Sequence, residues 1–313
     1  MSGAAAEAAA KRQRLGGSLG DATATAPLSP GELEQYRTAG WVRLRGAFDT
    51  DVAASCCDFM WAHLGEHCGL ERGDPGTWRD ESRLTGSNGL NKQSQHAVFR
   101  GVGSARLLAA LQQLNGEELA APKSFGGFLI TFPGHVLGSP HPQPAPWRLP
   151  RAGMGTGWHW DGNPASWLDS PSPGVKVFTL FSDIEPRGGG TLLLEGSHRL
   201  VDAFFCSLPP SSSLKQNPLK KRFNALHPWI GALTTVPDGV DDSAAEEARI
   251  REYMSTGTTV PVAAAGGAAE VRLRVVECCG EAGGAFLVHP SMYHASAANC
   301  AAVPRFMRSC TLT

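Results

Sequence analysis

The chain has almost no excess of either charge and no long apolar run. Its 313 residues include 28 basic and 29 acidic side chains, for a net charge of −1. No overall field therefore recruits a nucleic acid or an anionic membrane. No apolar run approaches the roughly 20 residues that a membrane span requires. These absences argue against nucleic-acid-binding and membrane-spanning proteins.

A zinc-binding cysteine pattern and a secretory signal are also missing. None of the eight cysteines stands in C-x-x-C spacing, so no structural zinc site is expected. The start, MSGAAAEAAAKRQRLGG, has no apolar core, so we expect an intracellular, cytoplasmic protein without a disulfide framework. A peroxisomal location is the alternative, because RLGGSLGDA (14–22) is similar to an amino-terminal peroxisomal address. However, Asp21 stands where that signal has His or Gln.

What the chain does contain is turn residues and short apolar runs. With 37 glycines, 22 prolines and only 18% charged residues, its composition suits a β protein better than a helical bundle. Short apolar runs bounded by Gly, Pro or polar turns are typical of a sandwich or barrel. The five runs are GFLITFP (127–133), VKVFTLFSDI (175–184), GTLLLEGSH (190–198), GAFLVHP (284–290) and RFMRSCTLT (305–313).

The part of the chain before these runs is predicted to be helical. Residues 1–28 are rich in Ala, Gly and Thr, so we expect a disordered tail. Order is expected to begin with a helix that Ser29 caps, with Glu32 completing a capping box and Gly40 ending the helix. Helical spacing of apolar residues predicts two more helices, at 49–69 and 104–115.

The sequence therefore predicts a single domain over 29–313. Its helical part covers 29–125 and its barrel core covers 126–313. Within the core, residues 203–270 lack strand patterns and combine a basic segment, an acidic helix candidate and an Ala/Gly-rich loop. We interpret this segment as an insertion over one end of the barrel, acting as a lid.

One short motif carries the first chemical signal. The stretch MGTGWHWDGNPASW (154–167) places His159 and Asp161 one residue apart, and no other of the ten histidines has an aspartate two positions later. Residues i and i+2 on a strand point to the same side, so the pair can bind one ion. A turn aspartate beside a packed histidine is the competing interpretation.

A distant strand must supply the remaining groups of such a site. A ferrous oxygenase site needs two imidazoles and one carboxylate, with the other metal positions open. The segment VHPSMYHASAANCAAVPR offers His289 and His294, of which only one can face the metal because their positions have opposite parity on a strand. Eleven residues after His294, Arg305 opens the last strand, where a guanidinium can hold a dicarboxylate by two parallel bonds.

These motifs together resemble the phytanoyl-CoA dioxygenase family of iron(II)/2-oxoglutarate oxygenases. The resemblance covers most of 31–313 and is carried by HWD, GGGTLLLEGSHR and HPSMYHASAAN…PR. It implies a double-stranded β-helix, or jelly roll, with helices packed outside. It also implies His159, Asp161 and His294 as iron ligands and Arg305 as the residue that binds the distal carboxylate of 2-oxoglutarate. The further residues that it implies at the co-substrate are Ser296, Lys92, Phe128, Trp160 and Thr179.

The resemblance implies a reaction and leaves its substrate open. With Fe(II), 2-oxoglutarate and O₂ as cofactor and co-substrates, an unactivated C–H bond is hydroxylated and succinate and CO₂ are released. Because Asp161 is present, halogenation is not expected. One alternative is a barrel that serves as a binding or sensor protein without turnover. Another is a cupin-like zinc isomerase or hydrolase, which has no use for Arg305.

Overall fold

A computed structural model describes most of the chain. The described residues are 27–79, 89–116, 122–136, 147–150, 157–162, 164, 168, 174–209, 215–235, 243–264 and 267–312. Nearly all of the predicted tail lies outside them. Leu28 is an exception, because it is fully buried and its backbone exchanges two hydrogen bonds with the Gln113 side-chain amide. Leu28, the last residue of the predicted tail, is thus a packed residue.

Helices occupy two parts of the described chain. The first group is α1 (Pro30–Ala39), α2 (Thr50–Cys68) and α3 (Ala105–Asn115), with short 3-10 helices at Pro75–Arg79, Leu90–Gln93 and Ala97–Val102. The second group is α4 (Ser197–Cys206), α5 (Gln216–Leu226), α6 (Pro228–Thr234) and α7 (Ser243–Ile250), which continues into a π-helical turn at Arg251–Thr256.

The strands form two antiparallel sheets. They are β1 (Trp41–Leu44), β2 (Gly127–Thr131), β3 (Val175–Leu180), β4 (Leu192–Glu195), β5 (Thr258–Ala264), β6 (Gly267–Glu277), β7 (Ala285–Val288), β8 (His294–Ala295) and β9 (Arg305–Leu312). The first sheet has the order β1-β7-β3-β9-β2 and the second the order β5-β6-β4-β8. From β3 onward the chain passes repeatedly from one sheet to the other. This alternation is that of a double-stranded β-helix, so the predicted fold class, mainly β with flanking helices, is confirmed.

Side chains from both sheets meet in the interior of the barrel. On β3, Phe178 and Leu180 point inward and contact Leu193 of the second sheet, in a cluster that also contains Met307 of β9. Val175 and Val177, at the alternate positions of β3, belong to the opposite face. Because paired strand residues share a face, this alternation decides which side chains can reach an interior site.

Helices cover the outer face of each sheet. Helices α2 and α3 pack with Val175, Val177 and Phe306 on the first sheet. Helices α4 to α7 pack on the second sheet, where Leu192, Leu194 and several aromatic side chains are buried. None of the helices in the described ranges is long and apolar enough to cross a membrane.

Local signals explain how the first helix begins and ends. The Ser29 hydroxyl accepts a hydrogen bond from the backbone N–H of Glu32, and the Glu32 carboxylate accepts one from the backbone N–H of Ser29, as the capping box predicts. Gly40 ends the helix with φ of 83°. At this position a Cβ atom would lie 2.4 Å from Nδ1 of His198, so glycine is required by both conformation and space.

The structure corrects one part of the predicted insertion. Helices α5 to α7 lie within 203–270 as a strand-poor segment, but the Ala/Gly-rich part at its end is not a loop. Residues Thr258–Ala264 pair with Gly267–Leu273 as a hairpin at the edge of the second sheet. Alanine and glycine have weak strand propensity, and here the ladder of a neighbouring strand overrides it. The role of the segment as a lid stays a proposal.

Candidate metal centre

The two halves of the predicted metal site meet through their backbones. The His159 N–H donates to the His294 carbonyl, and the His294 N–H donates to the His159 carbonyl, both at 2.8 Å. This bridge brings the loop with the His-x-Asp motif to the edge of β8. As a result, one ligand atom each of His159, Asp161 and His294 lies within 4.8 Å of the others.

Hydrogen bonds orient both imidazoles toward a common point. Nδ1 of His159 lies 2.7 Å from the Gly157 carbonyl, and Nδ1 of His294 lies 2.9 Å from the Met292 carbonyl. Since a carbonyl only accepts, each Nδ1 carries the proton and donates it. Each Nε2 then keeps a free lone pair. These nitrogens lie 3.5 Å and 3.7 Å from the Asp161 oxygens Oδ1 and Oδ2.

The local electrostatics favour the protonation states that bind a metal ion. Burial lowers the pKa of His294 to about 3, and the positive charges of Lys176 and His159 act in the same direction. Burial alone raises the pKa of Asp161, but the two neighbouring imidazoles and the ammonium group of Lys176 hold it well below its usual range. At neutral pH His294 is therefore neutral and Asp161 ionised, as metal coordination requires.

Lys176 belongs to this site, although the sequence reasoning did not identify it. Its side chain is 5% exposed, points inward from β3 and donates from its ammonium group to Oδ2 of Asp161. The ammonium group also lies 5.1 Å from the centre of the Phe178 ring. A single lysine inside the apolar run VKVFTLF was the available signal, because a charged residue in a buried strand needs a partner.

The donor set fits iron(II). Two imidazole nitrogens and one carboxylate on one side of a metal ion leave the opposite positions open, which is the arrangement of non-haem iron oxygenases. In zinc enzymes the metal usually has four neighbours in a tetrahedron and serves hydrolysis or hydration. Three ligands alone are compatible with both metals, so the choice depends on what else the barrel contains.

A buried arginine, which has no ion-pair partner among the described residues, lies in the barrel interior. Arg305 is 1% exposed and shares the inward face of β9 with Met307. Its guanidinium donates to the Gly189 carbonyl and, at 2.6 Å, to the Thr131 hydroxyl. Its Nε has no partner among the described residues.

No carboxylate of the described residues forms an ion pair with the Arg305 guanidinium. Burial lowers the pKa of Arg305 to about 10, partly offset by the negative potential of Cys278 and Glu277. Both oxygens of Glu277 already accept backbone N–H groups, from Arg187 and Gly190. Within the described ranges, no ion pair joins a carboxylate to Arg305. Burying a cation that has only neutral hydrogen-bond partners lowers the stability of the folded protein, and a bound anionic ligand would offset this loss.

The hydrogen bonds of Arg305 to described residues do not include Ser296 or Lys92. Ser296 is half-buried directly after β8, and the Arg305 guanidinium donates to Gly189 and Thr131 instead. Lys92 is exposed on its 3-10 helix, which is tied to β2 by a hydrogen bond from the Phe128 N–H to Oδ1 of Asn91, of 3.1 Å. The roles of both residues at the co-substrate remain predictions.

Three other predicted co-substrate residues lie on the outer faces of the sheets. Phe128 pairs with Arg308 and lies 4.4 Å from its guanidinium, in the layer that α2 and α3 cover. Thr179 also pairs with Arg308, so its side chain shares that outer face. Trp160 packs in the helical layer of the second sheet, with its ring 5.6 Å from that of Phe223. The roles of all three at the co-substrate stay predictions; on a strand, a shift of one residue in the alignment moves the side chain to the other face.

His289, the alternative third ligand, lies away from the cluster. The ring of His289 lies 4.9 Å from the ring of His198, near α1, and its N–H donates to the Gly40 carbonyl. Both therefore belong to the packing of α1 against β7 and α4. His135 is buried in a turn after β2, and His141 lies outside the described residues.

Comparisons with known proteins give similarity of fold alone. No protein-family model and no curated protein matches the chain. EctD from S. alaskensis, solved with 2-oxoglutarate and 5-hydroxyectoine, is 17% identical with a TM-score of 0.41, over 92% of this chain and 77% of that chain. AviO1 from Streptomyces viridochromogenes Tue57 is 13% identical with a TM-score of 0.45, over 92% of this chain and 95% of that chain. The epimerase SnoN, in complex with Fe3+, alpha ketoglutarate and nogalamycin RO, is 15% identical with a TM-score of 0.41, over 90% of this chain and 84% of that chain. Similarity at this level says nothing about substrate or reaction.

Proposed function

We propose that this protein is an iron(II)- and 2-oxoglutarate-dependent dioxygenase of the phytanoyl-CoA dioxygenase type. It hydroxylates an unactivated C–H bond of a small-molecule or acyl substrate. One oxygen atom of O₂ enters the new hydroxyl group and the other enters succinate, while the 1-carboxylate of 2-oxoglutarate leaves as CO₂. The observation that carries the proposal is the presence, in one barrel, of the His159–Asp161–His294 cluster and a buried arginine without an anion.

Each residue of the cluster has a defined task in this proposal. His159, Asp161 and His294 hold the iron from one side, and the carbonyls of Gly157 and Met292 keep both imidazoles in the tautomer that presents Nε2. Bound iron supplies the activation of dioxygen and the oxidation of 2-oxoglutarate. The protein supplies position, charge and exclusion of water.

Arg305 distinguishes this proposal from a zinc hydrolase or isomerase. Its guanidinium would bind the 5-carboxylate of 2-oxoglutarate through two charge-assisted hydrogen bonds, giving its orphaned Nε a partner. The Thr131 hydroxyl, 2.6 Å from the guanidinium, fixes its orientation. Apolar side chains around it, including Met307 and Leu180, exclude water that would compete for the same donors.

The ion pair between Lys176 and Asp161 favours a second candidate, a barrel that binds a ligand without turnover. The ammonium group occupies one carboxylate oxygen of a supposed metal ligand. If this pair persists, iron must compete with a cation that is already present. Under the first proposal Lys176 keeps Oδ2 while the other oxygen faces the metal. Under the second, the pair itself replaces the metal.

Anaerobic loading with iron(II), followed by 2-oxoglutarate and air-saturated buffer, separates these candidates. The first predicts stoichiometric iron binding and slow release of succinate, even without the true substrate. His294→Ala should abolish both, whereas His289→Ala, a change of a histidine outside the cluster, should retain them. Succinate release that survives in His294→Ala would reject the ligand assignment. Absence of iron binding in the wild-type protein would favour the barrel without turnover.

The hydroxylation itself needs a separate measurement. A metabolite extract is incubated with the iron-loaded protein with and without 2-oxoglutarate. The expected result is a metabolite that gains the mass of one oxygen atom only when 2-oxoglutarate and O₂ are both present. A 2-oxoglutarate-dependent product without an added oxygen atom would keep the co-substrate and reject hydroxylation.

A further inference from the structure

A cavity opens beside the metal centre. Its volume is about 910 Å³, and His159 and Trp158 line it on the side of the metal loop. Helices α5 and α6, which belong to the strand-poor segment, form the opposite wall. We infer that this cavity binds the substrate of the proposed dioxygenase and that Lys220 and Lys221 hold an anionic group of that substrate, a carboxylate or a phosphate. The inference rests on the proposed function only in calling the ligand a substrate.

The charge of the cavity carries the inference. Lys220 and Lys221 both line it, and none of its described lining residues is an aspartate or glutamate. Other cations of the described surface, such as Arg72 and Arg187, form ion pairs with carboxylates. In the described ranges neither Lys220 nor Lys221 has such a partner. Two neighbouring unpaired ammonium groups in a concave site attract an anion.

The composition of the wall decides which kind of molecule carries the anion. The described lining contains no Leu, Ile, Val, Met or Phe side chain, and Ala225 contributes only a methyl group. The lining combines side-chain amides and hydroxyls, among them those of Gln216, Asn217 and Thr235, with the rings of Trp158 and Tyr293. A long acyl chain gains most affinity by burying methylene groups against side chains such as Leu, Ile, Val, Met and Phe, which the described lining lacks. The cavity therefore fits a compact polar molecule with one anionic end.

Hydrogen bonds hold this wall in place. The Asn224 amide accepts from the Tyr293 hydroxyl at 3.1 Å and donates to the Thr234 hydroxyl at 3.0 Å, which joins α5 to α6 and to the segment before His294. The Gln216 amide donates to the Gly162 carbonyl at 3.0 Å, directly after the metal-binding motif. The wall that carries the two lysines is thus fixed relative to both halves of the metal site.

This arrangement predicts how the substrate lies in the cavity. The anionic end lies at Lys220 and Lys221 on α5, and the rest of the molecule extends toward His159, which lines the same cavity. A fixed anchor away from the reacting carbon selects one C–H bond out of several similar ones. The lysines are then specificity residues that contact the substrate without taking part in the oxidation.

Titration of the metal-free protein with inorganic phosphate tests the anion site without depending on iron. We expect saturable binding that weakens about tenfold or more in Lys220→Gln/Lys221→Gln, because charge-assisted bonds are lost. Lys215→Gln is the matched control, since Lys215 is an exposed lysine directly before α5 that is not in the cavity lining. Circular dichroism verifies that all variants are folded.

Two results of the titration would overturn the inference. One is equal affinity in the wild-type protein and the double variant. The other is equal weakening by Lys215→Gln, which would reveal a general effect of surface charge. An Arg305→Lys protein is titrated alongside, and loss of phosphate binding in this variant alone would place the anion in the barrel interior and also reject the inference.

A second measurement tests the substrate class. Metabolites that gain an oxygen atom in the screen are compared with their amides or dephosphorylated forms, and kcat/KM should fall about tenfold or more when the anionic group is removed. Neutral metabolites hydroxylated as well as anionic ones would reject the inference. The two proposals fail separately. If lysine-dependent phosphate binding occurs without succinate release, the dioxygenase proposal fails and the anion site stands; the reverse pattern rejects the anion site alone.

Discussion

The ammonium group of Lys176 and the carboxylate of Asp161 form an ion pair inside the barrel, with the lysine almost fully buried and the aspartate side chain 40% exposed. The pair connects strand β3 with the loop that carries the metal-binding motif. Replacing one partner of such a pair lowers the stability of the folded protein, because the other partner keeps a desolvated, unpaired charge.

Asp161→Asn is therefore expected to destabilise the metal-free protein. The loss should be about 1–2 kcal/mol, which is less than for a fully buried pair because the partial exposure of Asp161 screens the interaction. Urea unfolding of the metal-free variants measures it.

The double variant Asp161→Asn/Lys176→Met is the control for this loss. Removing both charges should recover most of the stability, since no unpaired ammonium remains. Equal stability of the single and the double variant would mean that Asp161 does not stabilise the buried charge of Lys176. Neither variant should bind iron(II), since both lack the carboxylate ligand.

Arg305→Lys is expected to raise the KM for 2-oxoglutarate strongly. Lysine keeps the charge but loses the forked geometry, and one lost charged hydrogen bond costs about 1.5–3 kcal/mol, or roughly ten- to a hundredfold in affinity. Iron content should be unchanged, because the proposed iron ligands are His159, Asp161 and His294. Steady-state kinetics and metal analysis of the same preparations test both statements.

Arg308→Lys is the matched control for Arg305→Lys. Arg308 has opposite parity on β9 and donates to Gly126, Ser94 and Ser124 on the outer face, with the Phe99 ring 4.7 Å away. Its replacement should lower stability and leave the KM for 2-oxoglutarate unchanged. A higher KM in Arg308→Lys but not in Arg305→Lys would contradict the inward position of Arg305.

Thr179→Val tests the face on which Thr179 lies. The Thr179 hydroxyl is buried and has no partner among the described residues, so its removal should stabilise the protein by about 1 kcal/mol. The KM for 2-oxoglutarate should not change. An increase of several-fold would show that the hydroxyl contacts the co-substrate. Phe178→Leu, at the adjacent inward position, is the comparison and should lower kcat/KM.

His198 is expected to make the protein less stable at acidic pH. Burial and the nearby charge of His289 lower the pKa of His198 to about 3, against about 6.5 in an unfolded chain. Below pH 6.5 the unfolded state binds a proton that the folded state does not, so this group reduces stability as pH falls toward 3, by about 1.4 kcal/mol per pH unit.

His198→Gln removes this titration and can still donate to the Arg37 carbonyl, which accepts from Nε2 of His198 at 3.2 Å. Urea unfolding at pH 7, 6 and 5 should show a shallower dependence in the variant. An identical dependence in both proteins would mean that the pKa of His198 is the same in the folded and the unfolded state.

Local chemistry alone determined several features of this protein. A serine, a glutamate three residues later and a terminal glycine are sufficient for the ends of α1, because capping involves only neighbouring backbone groups. Short apolar runs between turn residues predicted β2, β3, β4, β7 and β9 for a similar reason. His159 and Asp161 were recognisable as a pair because both lie in one short segment.

Only the tertiary structure decided the features that depend on the pairing of distant strands. The backbone bridge between His159 and His294 brings His294, rather than His289, to the His-x-Asp motif, and the pleat of β3 brings Lys176, rather than Thr179, toward the interior. The same pleat separates Arg305 from Arg308. Which face of a strand is interior is a property of the assembled sheets, and a shift of one residue reverses it without changing the local sequence signal.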